Sequence, residues 1–471
     1  MTSHNNLTIK KAREGLLKKD FSAVELLNAY LEQIERKNSE LNAFITVCKS
    51  EALEQAKHAD KLLSEGQDLP LLGIPIALKD IYSTKGIQTT AGSNVLKGYI
   101  PPFDATVVAR LKEAGAVIIG KTNLDAWAHG SSGENSDFGP TKNPWNTDFV
   151  PGGSSSGSAV SVSAQMAIAA TGTDTGGSIR LPASFTNTVG LKPTYGRVSR
   201  YGIVAMASSL DSIGHFTKNV EDSALFLNVT AGNDPLDGTT PTVEVPDYTK
   251  KLDKDIKGIR IGIPKEYFIA GMDPKVRENI EKAIKFYEEN GCKIEQISLP
   301  HTEYAIATYY IIQPAEVSSN LARYDGIRYG NKRKTFGEEA KRRIMLGTFT
   351  LSVGYYDAYY KKALKVRTLL IKDFEEAFKK VDAIIAPVSP TLPWKIGEKA
   401  NDPLSMYLSD VFTVTANITG HPGLSIPTGF VDGFPVGMQI IGPHFKEELL
   451  FNLGHRYEQE HKWFERNPYE T

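Results

Sequence analysis

Two serines and their glycine-rich turns are the residues of this sequence that best fit acyl-transfer chemistry. Ser178 ends the segment DTGGS (174–178), and Ser154 lies in GGSSSGS (152–158). Glycine permits positive φ, and N–H groups at the start of a helix have no intrahelical acceptor. A serine at the end of such a turn can attack a carbonyl carbon while neighbouring N–H groups stabilise the oxyanion. The pattern therefore predicts Ser178 as a nucleophile.

Serine attack requires a base, and Lys79 is the candidate. The nearby histidines, His129 and His215, lack a recognisable triad context, whereas lysine is a known alternative base. Lys79 follows the apolar run GIPIAL (73–78), which predicts a buried strand. Burial disfavours the ammonium form, and the pKa must fall about 3 units from roughly 10.4 for Lys79 to accept a proton at neutral pH. Ser154 would then relay the proton from Ser178 to Lys79.

Two other motif classes do not fit these turns. The first turn lacks the G-x-x-x-x-G-K-[ST] pattern of a P-loop, and no G-x-S-x-G nucleophile elbow follows a strand. A phosphate-binding module or a catalytically inactive scaffold stays open as a competing interpretation. The intact set of Ser178, Ser154 and Lys79 argues against an inactive scaffold.

The elements around these turns predict an α/β fold. The first 65 residues are predicted to be helical, with a capping box at Ser22 and Glu25. Beyond them, short apolar strands alternate with amphipathic helices, as in a mostly parallel or mixed sheet covered by helices. Helix caps are predicted at Asp104 and Asp273. Strands are predicted at 74–78, 116–119, 259–263, 294–297, 383–386, 424–426 and 436–441, and a further short apolar strand is predicted just before the turn 174–178. A surface linker is predicted at 232–248.

Composition excludes several broad classes. The 471 residues carry a net charge of -1, which does not favour a general nucleic-acid binder. The two cysteines, Cys48 and Cys292, have no metal-site spacing and are expected to be buried thiols. The N-terminus has no apolar signal segment, so a cytoplasmic protein is expected.

The motifs together resemble the amidase signature family. The resemblance is carried by GIPIALKD (73–80), by the segment 119–146, by all of 151–183 and by GHPGLSIPTGFVDGFPVGMQIIGPHF (420–445). It implies one α/β/α sandwich with a large mixed sheet over 66–471, preceded by the helical segment 1–65. It also implies a nucleophile at Ser178, a base at Lys79, and a bridging Ser154 that follows a cis peptide bond. The implied oxyanion hole is formed by the N–H groups of Thr175, Gly176, Gly177 and Ser178, and the implied loop-holding residues are Asp174 and Arg180.

Within that family the chain is most similar to the glutamine-hydrolysing subunits of tRNA-dependent amidotransferases. The segments 195–214, 307–330 and 354–369 carry this similarity. It implies that glutamine is bound by Tyr309, Arg343 and Asp410. An arginine suits the α-carboxylate and an aspartate suits the α-ammonium group. The adjacent Tyr310 and Arg342 remain alternatives for two of these roles.

The implied activity is release of ammonia from glutamine for the amidation of Glu-tRNA(Gln), Asp-tRNA(Asn) or both. The resemblance implies a heterotrimer with subunits B and C, in which the B protein binds most of the tRNA. It implies no cofactor or metal in this chain, with ATP and Mg²⁺ used by the assembled complex. The alternative is a stand-alone amidase for another small amide.

Two residues depart from the subfamily pattern. His129 stands where methionine is usual, and Gly133 where threonine is usual. His129 is expected near the substrate entrance, where it either makes a polar contact or packs as a structural histidine. The segment between Gly330 and Phe336 is also shorter than is typical.

Overall fold

A single mixed β-sheet organises the chain. The computed structural model describes residues 4–324, 330–400 and 402–469, and its sheet has 11 strands. The strands are β1 (Phe44–Val47), β2 (Pro75–Lys79), β3 (Val117–Thr122), β4 (Ala169–Asp174), β5 (Val189–Lys192), β6 (Ser212–Thr217), β7 (Arg260–Pro264), β8 (Lys293–Ile297), β9 (Ala383–Pro387), β10 (Gly423–Val431) and β11 (Phe434–Ile441).

The strand order is β1-β3-β2-β4-β6-β5-β10-β11-β9-β7-β8. Strand β2 pairs in parallel with both β3 and β4, whereas β5, β6, β10 and β11 pair with their neighbours in antiparallel fashion. Strands β7, β8 and β9 form a second parallel set. The predicted α/β class with a large mixed sheet is confirmed.

Helices flank this sheet. They are α1 (Ile9–Lys18), α2 (Ala23–Leu41), α3 (Lys49–Ser64), α4 (Thr106–Glu113), α5 (Ser156–Ser163), α6 (Arg180–Thr186), α7 (Val220–Thr230), α8 (Pro274–Glu289), α9 (Ala305–Asn320), α10 (Glu338–Thr350), α11 (Lys361–Lys380), α12 (Pro403–Leu408), α13 (Val414–Thr419) and α14 (Glu447–His461). A π-helical turn, Tyr356–Tyr360, leads into α11. None of the helices in the described ranges is long and apolar enough to cross a membrane.

Two of the predicted helix starts are confirmed and one is wrong. The capping box of Ser22 and Glu25 begins α2, and the Asp273 carboxylate accepts the first N–H groups of α8. The residue before α4 is Ala105 rather than Asp104. The Asp104 carboxylate instead accepts from the Lys85 N–H group at 2.8 Å and pairs with Lys112, and these tertiary partners compete with a capping role.

The N-terminal segment and the expected linker are both tied to the main body. Strand β1 lies within the first 65 residues and forms an edge of the sheet, so that segment is not helical throughout. In the segment 232–248, Tyr248 is buried and its hydroxyl accepts from Arg197 Nε at 2.7 Å. The pairing of β5 with β10 joins the chain before this segment to the chain after it. The division at residue 65 stays a prediction.

Candidate active site

The carboxyl ends of β2 and β4 bring the predicted catalytic residues together. The two strands are parallel neighbours, so Lys79 and Asp174, their last residues, lie at the same edge. Ser178 follows β4 by one turn, and the Ser155 N–H group donates to the Ser178 carbonyl oxygen at 3.2 Å. The peptide bond between Gly153 and Ser154 is cis.

The Lys79 amine is surrounded by hydroxyl groups. Its side chain is fully buried, and Nζ lies 2.8 Å from Ser154 Oγ, 2.9 Å from Ser155 Oγ and 2.8 Å from Thr173 Oγ1. The Ser155 hydroxyl also donates to the Thr173 carbonyl oxygen at 3.1 Å, so toward Nζ it can act as an acceptor. A neutral amine has two N–H donors and one lone pair. It can donate to Ser155 and Thr173 and accept a proton from Ser154.

Burial makes the neutral amine accessible near pH 7. Loss of solvent lowers the pKa of Lys79 to about 7, although the carboxylates of Asp125, Asp174 and Asp211 oppose this shift. In two of those carboxyls burial is the dominant effect: it raises the pKa of Asp125 to about 7 and that of Asp211 to about 6. The amine can therefore exchange a proton at neutral pH.

The Asp174 carboxylate shapes the turn that presents Ser178. It accepts from the Gly177 N–H group at 2.9 Å and from the Ile179 N–H group at 3.1 Å, and its two oxygens pair with Arg180 at 3.0 and 3.1 Å. Burial alone would raise the pKa of Asp174, but the Arg180 guanidinium lowers it to about 2. Arg180 also donates to Gln439 Oε1 at 2.7 Å, which connects the turn to β11.

The turn leaves most of its N–H groups open. Within the described ranges, the N–H groups of Thr175, Gly176 and Ser178 have no hydrogen-bond acceptor. Gly177 is different, because its N–H group is engaged by Asp174. The structure therefore does not supply Gly177 as a free oxyanion donor, contrary to the prediction. Gly177 has a φ of +135°, and a Cβ there would lie 2.3 Å from Thr413 Oγ1, so close packing accounts for this glycine.

A second cluster of polar groups contains Asp410. Its carboxylate accepts from Ser131 Oγ at 2.8 Å and from the Tyr310 hydroxyl at 3.1 Å. Burial raises its pKa to about 7, while Ser131, Arg343 and Tyr310 act in the opposite direction. The Asp410 carboxyl is thus buried and partly protonated near pH 7, and a bound cation would favour its ionised form.

Arg343 and Tyr309 lie close to this cluster. The Arg343 guanidinium is buried and lies over the rings of Tyr310 and Tyr407 at 5.5 and 5.6 Å, with Nε donating to Glu339 at 2.8 Å. Burial would lower its pKa, but the Glu339 charge raises it, so it stays protonated. The Tyr309 ring packs against Gly176, where an added Cβ would lie 2.7 Å from the ring.

The two adjacent alternatives have different positions. Arg342 is roughly half exposed and pairs with Glu339, whereas the neighbouring Arg343 is buried. Tyr310 bonds to Asp410, while Tyr309 faces the turn that precedes Ser178. The structure thus brings Tyr309, Arg343 and Asp410 to one region and adds Tyr310 to it.

Arg343 also forms part of the wall of a cavity of about 260 Å³. The cavity is lined by His129, Gly130, Ser132, Glu134, Asn135, Glu338, Glu339, Arg342, Arg343, Lys399, Ala400, Met406 and Tyr407. No group of three or more metal-ligating side chains occurs in the ranges that the structure describes.

Three polar residues near the site were not singled out from the sequence. Ser131 holds Asp410, and Ser155 and Thr173 hold the Lys79 amine. All three residues lie inside segments that carried the family resemblance, so those motifs contained the available signal. Thr173 projects from β4, and only the parallel pairing of β2 with β4 places it beside Lys79.

Comparison with known proteins identifies the family of this chain. The Amidase family model matches residues 25–451. The A subunit of glutamyl-tRNA(Gln) amidotransferase from Geobacter metallireducens is 54% identical over 97% of this chain and 98% of its own length. The crystal structure of the protein of the same name from Thermotoga maritima is 42% identical, with a TM-score of 0.84 over 100% of this chain and 97% of that one.

A solved bacterial aryl acylamidase of the amidase signature enzymes is more distant in sequence. It is 26% identical, with a TM-score of 0.88 over 99% of each chain. The fold, the lysine and the two serines at one sheet edge, and the match over residues 25–451 all lead to one assignment: this chain belongs to the amidase family.

Proposed function

We propose that this chain is the glutaminase component of a tRNA-dependent amidotransferase. It would hydrolyse glutamine and supply ammonia for the conversion of Glu-tRNA(Gln) or Asp-tRNA(Asn) to the amidated product. The observation that carries the proposal is the buried Lys79 amine, which lies 2.8 Å from Ser154 Oγ. Ser154 belongs to the chain segment that contacts Ser178 through the Ser155 N–H group. The similarity to glutamyl-tRNA(Gln) amidotransferase proteins over nearly the whole chain supports the choice of glutamine.

In the proposed mechanism, Ser178 Oγ attacks the side-chain carbonyl carbon of glutamine. Its proton passes to Ser154 while the Ser154 proton passes to the neutral Lys79 amine. The N–H groups of Thr175, Gly176 and Ser178 would stabilise the oxyanion. Lysine then returns a proton to the leaving nitrogen, and ammonia departs. Water, activated by the same relay, hydrolyses the acyl-serine and releases glutamate.

The end of glutamine that carries its α-carboxylate and α-ammonium groups would be bound by the second polar cluster, which contains Asp410. Glutamine carries an α-carboxylate and an α-ammonium group, and the site offers the protonated guanidinium of Arg343 and the carboxylate of Asp410. Tyr309, packed against Gly176, would lie between this cluster and the reacting amide. A stand-alone amidase for aryl or aliphatic amides has less support, because such substrates need no pair of opposite charges in the site.

An exposed apolar face supports the proposal of partner subunits. Met345 on α10 is 72% exposed, and Val353, between α10 and the π-helical turn, is 100% exposed. The exposed rings of Phe349, Tyr355 and Tyr359 form a ladder, with centroids 4.0 and 5.8 Å apart. Continuous apolar surface of this kind is typical of protein interfaces. One of subunits B and C would cover it, and ATP and Mg²⁺ would be used by the complex rather than by this chain.

The test is glutamate release from glutamine, measured for the chain alone and after co-expression with subunits B and C. We expect Ser178→Ala to abolish it, while the assembled complex still amidates charged tRNA with free ammonium. Retained glutamine hydrolysis in that variant, or faster turnover of an aryl or aliphatic amide than of glutamine, would contradict the proposal.

The proposed partner face has its own test. Phe349→Asp should reduce co-purification with the partner subunits, because it places a charge in the aromatic ladder. Leu236→Asp, at an exposed leucine in the 232–248 segment, is the matched control. Equal recovery of the complex with both variants would exclude this face as the docking surface.

A further inference from the structure

His129 is a buried histidine whose ring has no hydrogen-bond partner. The residue is 0% exposed, and neither Nδ1 nor Nε2 has an acceptor or donor among the described residues. Buried polar groups in folded proteins are normally paired, because an unpaired one loses its contacts with water without replacement. A bound molecule could therefore supply the hydrogen-bond partner that the ring lacks.

His129 is one of the residues that line the cavity that Arg343 also lines. Within the described ranges, Arg343 uses Nε for its bond to Glu339 and has no hydrogen-bond partner for its two terminal nitrogens. A cavity of about 260 Å³ is smaller than the usual site for a drug-sized molecule and suits an amino acid. His129 and Arg343 thus line one small cavity, and each has side-chain nitrogens without a hydrogen-bond partner among the described residues.

The backbone holds His129 in place. Its N–H group donates to the Ala126 carbonyl oxygen at 3.0 Å, and its own carbonyl accepts from Asn135 Nδ2 at 2.7 Å. The two residues before it, Trp127 and Ala128, have left-handed φ values of 60° and 63°. Such conformations persist where the surroundings enforce them. Here Trp127 stacks on Phe336, with centroids 5.2 Å apart.

The ring is neutral in this environment. Burial, and then the charge of Arg343, lower the pKa of His129 well below its usual value. A neutral imidazole has one N–H donor and one acceptor nitrogen. The donor suits a carboxylate held at the same guanidinium, whereas the positive charge of Arg343 disfavours a metal ion or an ammonium group at that position.

We propose that His129 is a specificity-determining residue that donates a ring N–H to the α-carboxylate of glutamine bound at Arg343. This inference rests on the proposed function and deepens it. The carboxylate would accept from the terminal nitrogens of Arg343 on one side and from His129 on the other. The hydrogen bond would select substrates with a carboxylate at this end and would leave the chemistry at Ser178 unchanged.

The experiment compares His129→Met with the wild type in the full chain, purified with its partners. The substrates are glutamine and 4-aminobutanamide, which is glutamine without the α-carboxylate. Loss of a hydrogen bond to a charged group should raise KM for glutamine about tenfold. We expect kcat for glutamine and kcat/KM for 4-aminobutanamide to change little. His129→Gln, which restores an N–H donor, should recover part of the lost affinity.

The outcomes separate this inference from the proposed function. Unchanged KM for glutamine in His129→Met, or an equal rise in KM for both amides, would overturn the role of His129 alone. Absence of glutamine hydrolysis by the wild-type complex would overturn the proposed function and this inference with it. A second readout uses Ser178→Ala to prevent turnover: the His129 ring ¹⁵N signals should shift on addition of glutamine and stay in place with 4-aminobutanamide.

Discussion

Ser154 and Ser155 place their hydroxyl oxygens 2.8 and 2.9 Å from the same amine, yet they differ in where their protons point. The Ser155 proton is directed to the Thr173 carbonyl, and Ser155 N–H donates to the Ser178 carbonyl oxygen. The Ser154 proton has no such acceptor in the described part of the chain and can move to Lys79 Nζ. Replacing each of these two serines by alanine therefore gives a matched pair of variants.

Ser154→Ala should reduce kcat for glutamine far more than Ser155→Ala does. Loss of a positioned proton-transfer group typically costs about 10²–10⁴-fold in rate. Ser155→Ala removes a hydrogen bond that orients Lys79 and should cost roughly tenfold or less. Steady-state kinetics of both variants check this, with thermal unfolding as the control for folding. Equal losses would show that Ser154 has no special part in proton transfer.

The pH dependence of kcat should report the Lys79 amine. Burial lowers its pKa to about 7, and the neutral form is the base, so kcat should fall as pH decreases through about 7. Lys79→Arg should be inactive at every pH tested, because a guanidinium stays protonated. A second buried lysine, Lys192, also has a pKa lowered to about 7 by burial. Lys192→Met is therefore the control, and loss of the acid limb in that variant would contradict the assignment.

The affinity for glutamine should depend on a different group, Asp410. Burial raises its pKa to about 7, so below that pH the carboxyl becomes neutral and binds an ammonium group less well. KM for glutamine should rise as pH falls, and Asp410→Asn should raise KM at least tenfold at neutral pH. Glutaramate, which lacks the α-amine, is the control substrate. An equal rise in KM for glutaramate would exclude contact between Asp410 and the α-ammonium group.

The parts of the site that the sequence predicts are those in which a reactive or charged residue comes at the end of an apolar strand. Lys79 ends β2, and Asp174 ends β4 before the turn to Ser178, so strand pattern and residue type agree there. The sequence pattern does not predict strands β1, β5 and β6. In β6 the residues Ser212–Thr217 are buried on both faces yet mix polar and apolar side chains, so no alternation marks them.

The contacts that could not be predicted are those made between distant segments. Asp410 lies 279 positions from Ser131 and 100 from Tyr310, and no local pattern encodes either hydrogen bond. The hydrogen bond from the Gly177 N–H group to Asp174 is different, because it joins residues only three positions apart. The glycine-rich pattern predicts a row of N–H groups without acceptors at this turn, but in the folded chain the Asp174 carboxylate accepts from one of them.

The buried pair of Asp174 and Arg180 should be much more important for stability than an exposed pair. Both side chains are fully buried, so Asp174→Asn leaves a buried guanidinium without its counter-charge, a change that typically costs about 3–5 kcal/mol. The pair of Arg260 and Asp382 is the control: both side chains are 38% exposed, and Asp382→Asn should cost about 1 kcal/mol or less.

Thermal unfolding as a function of pH checks this prediction. The folded-state pKa of Asp174 is lowered to about 2, below its ordinary value of 3.8. Its contribution to stability is therefore fully present above about pH 4 and is lost as pH falls toward 2. Asp174→Asn should lower the unfolding temperature at pH 7 well beyond Asp382→Asn and should weaken the acid dependence. Equal unfolding temperatures for the two variants would mean that the turn before Ser178 does not need this ion pair.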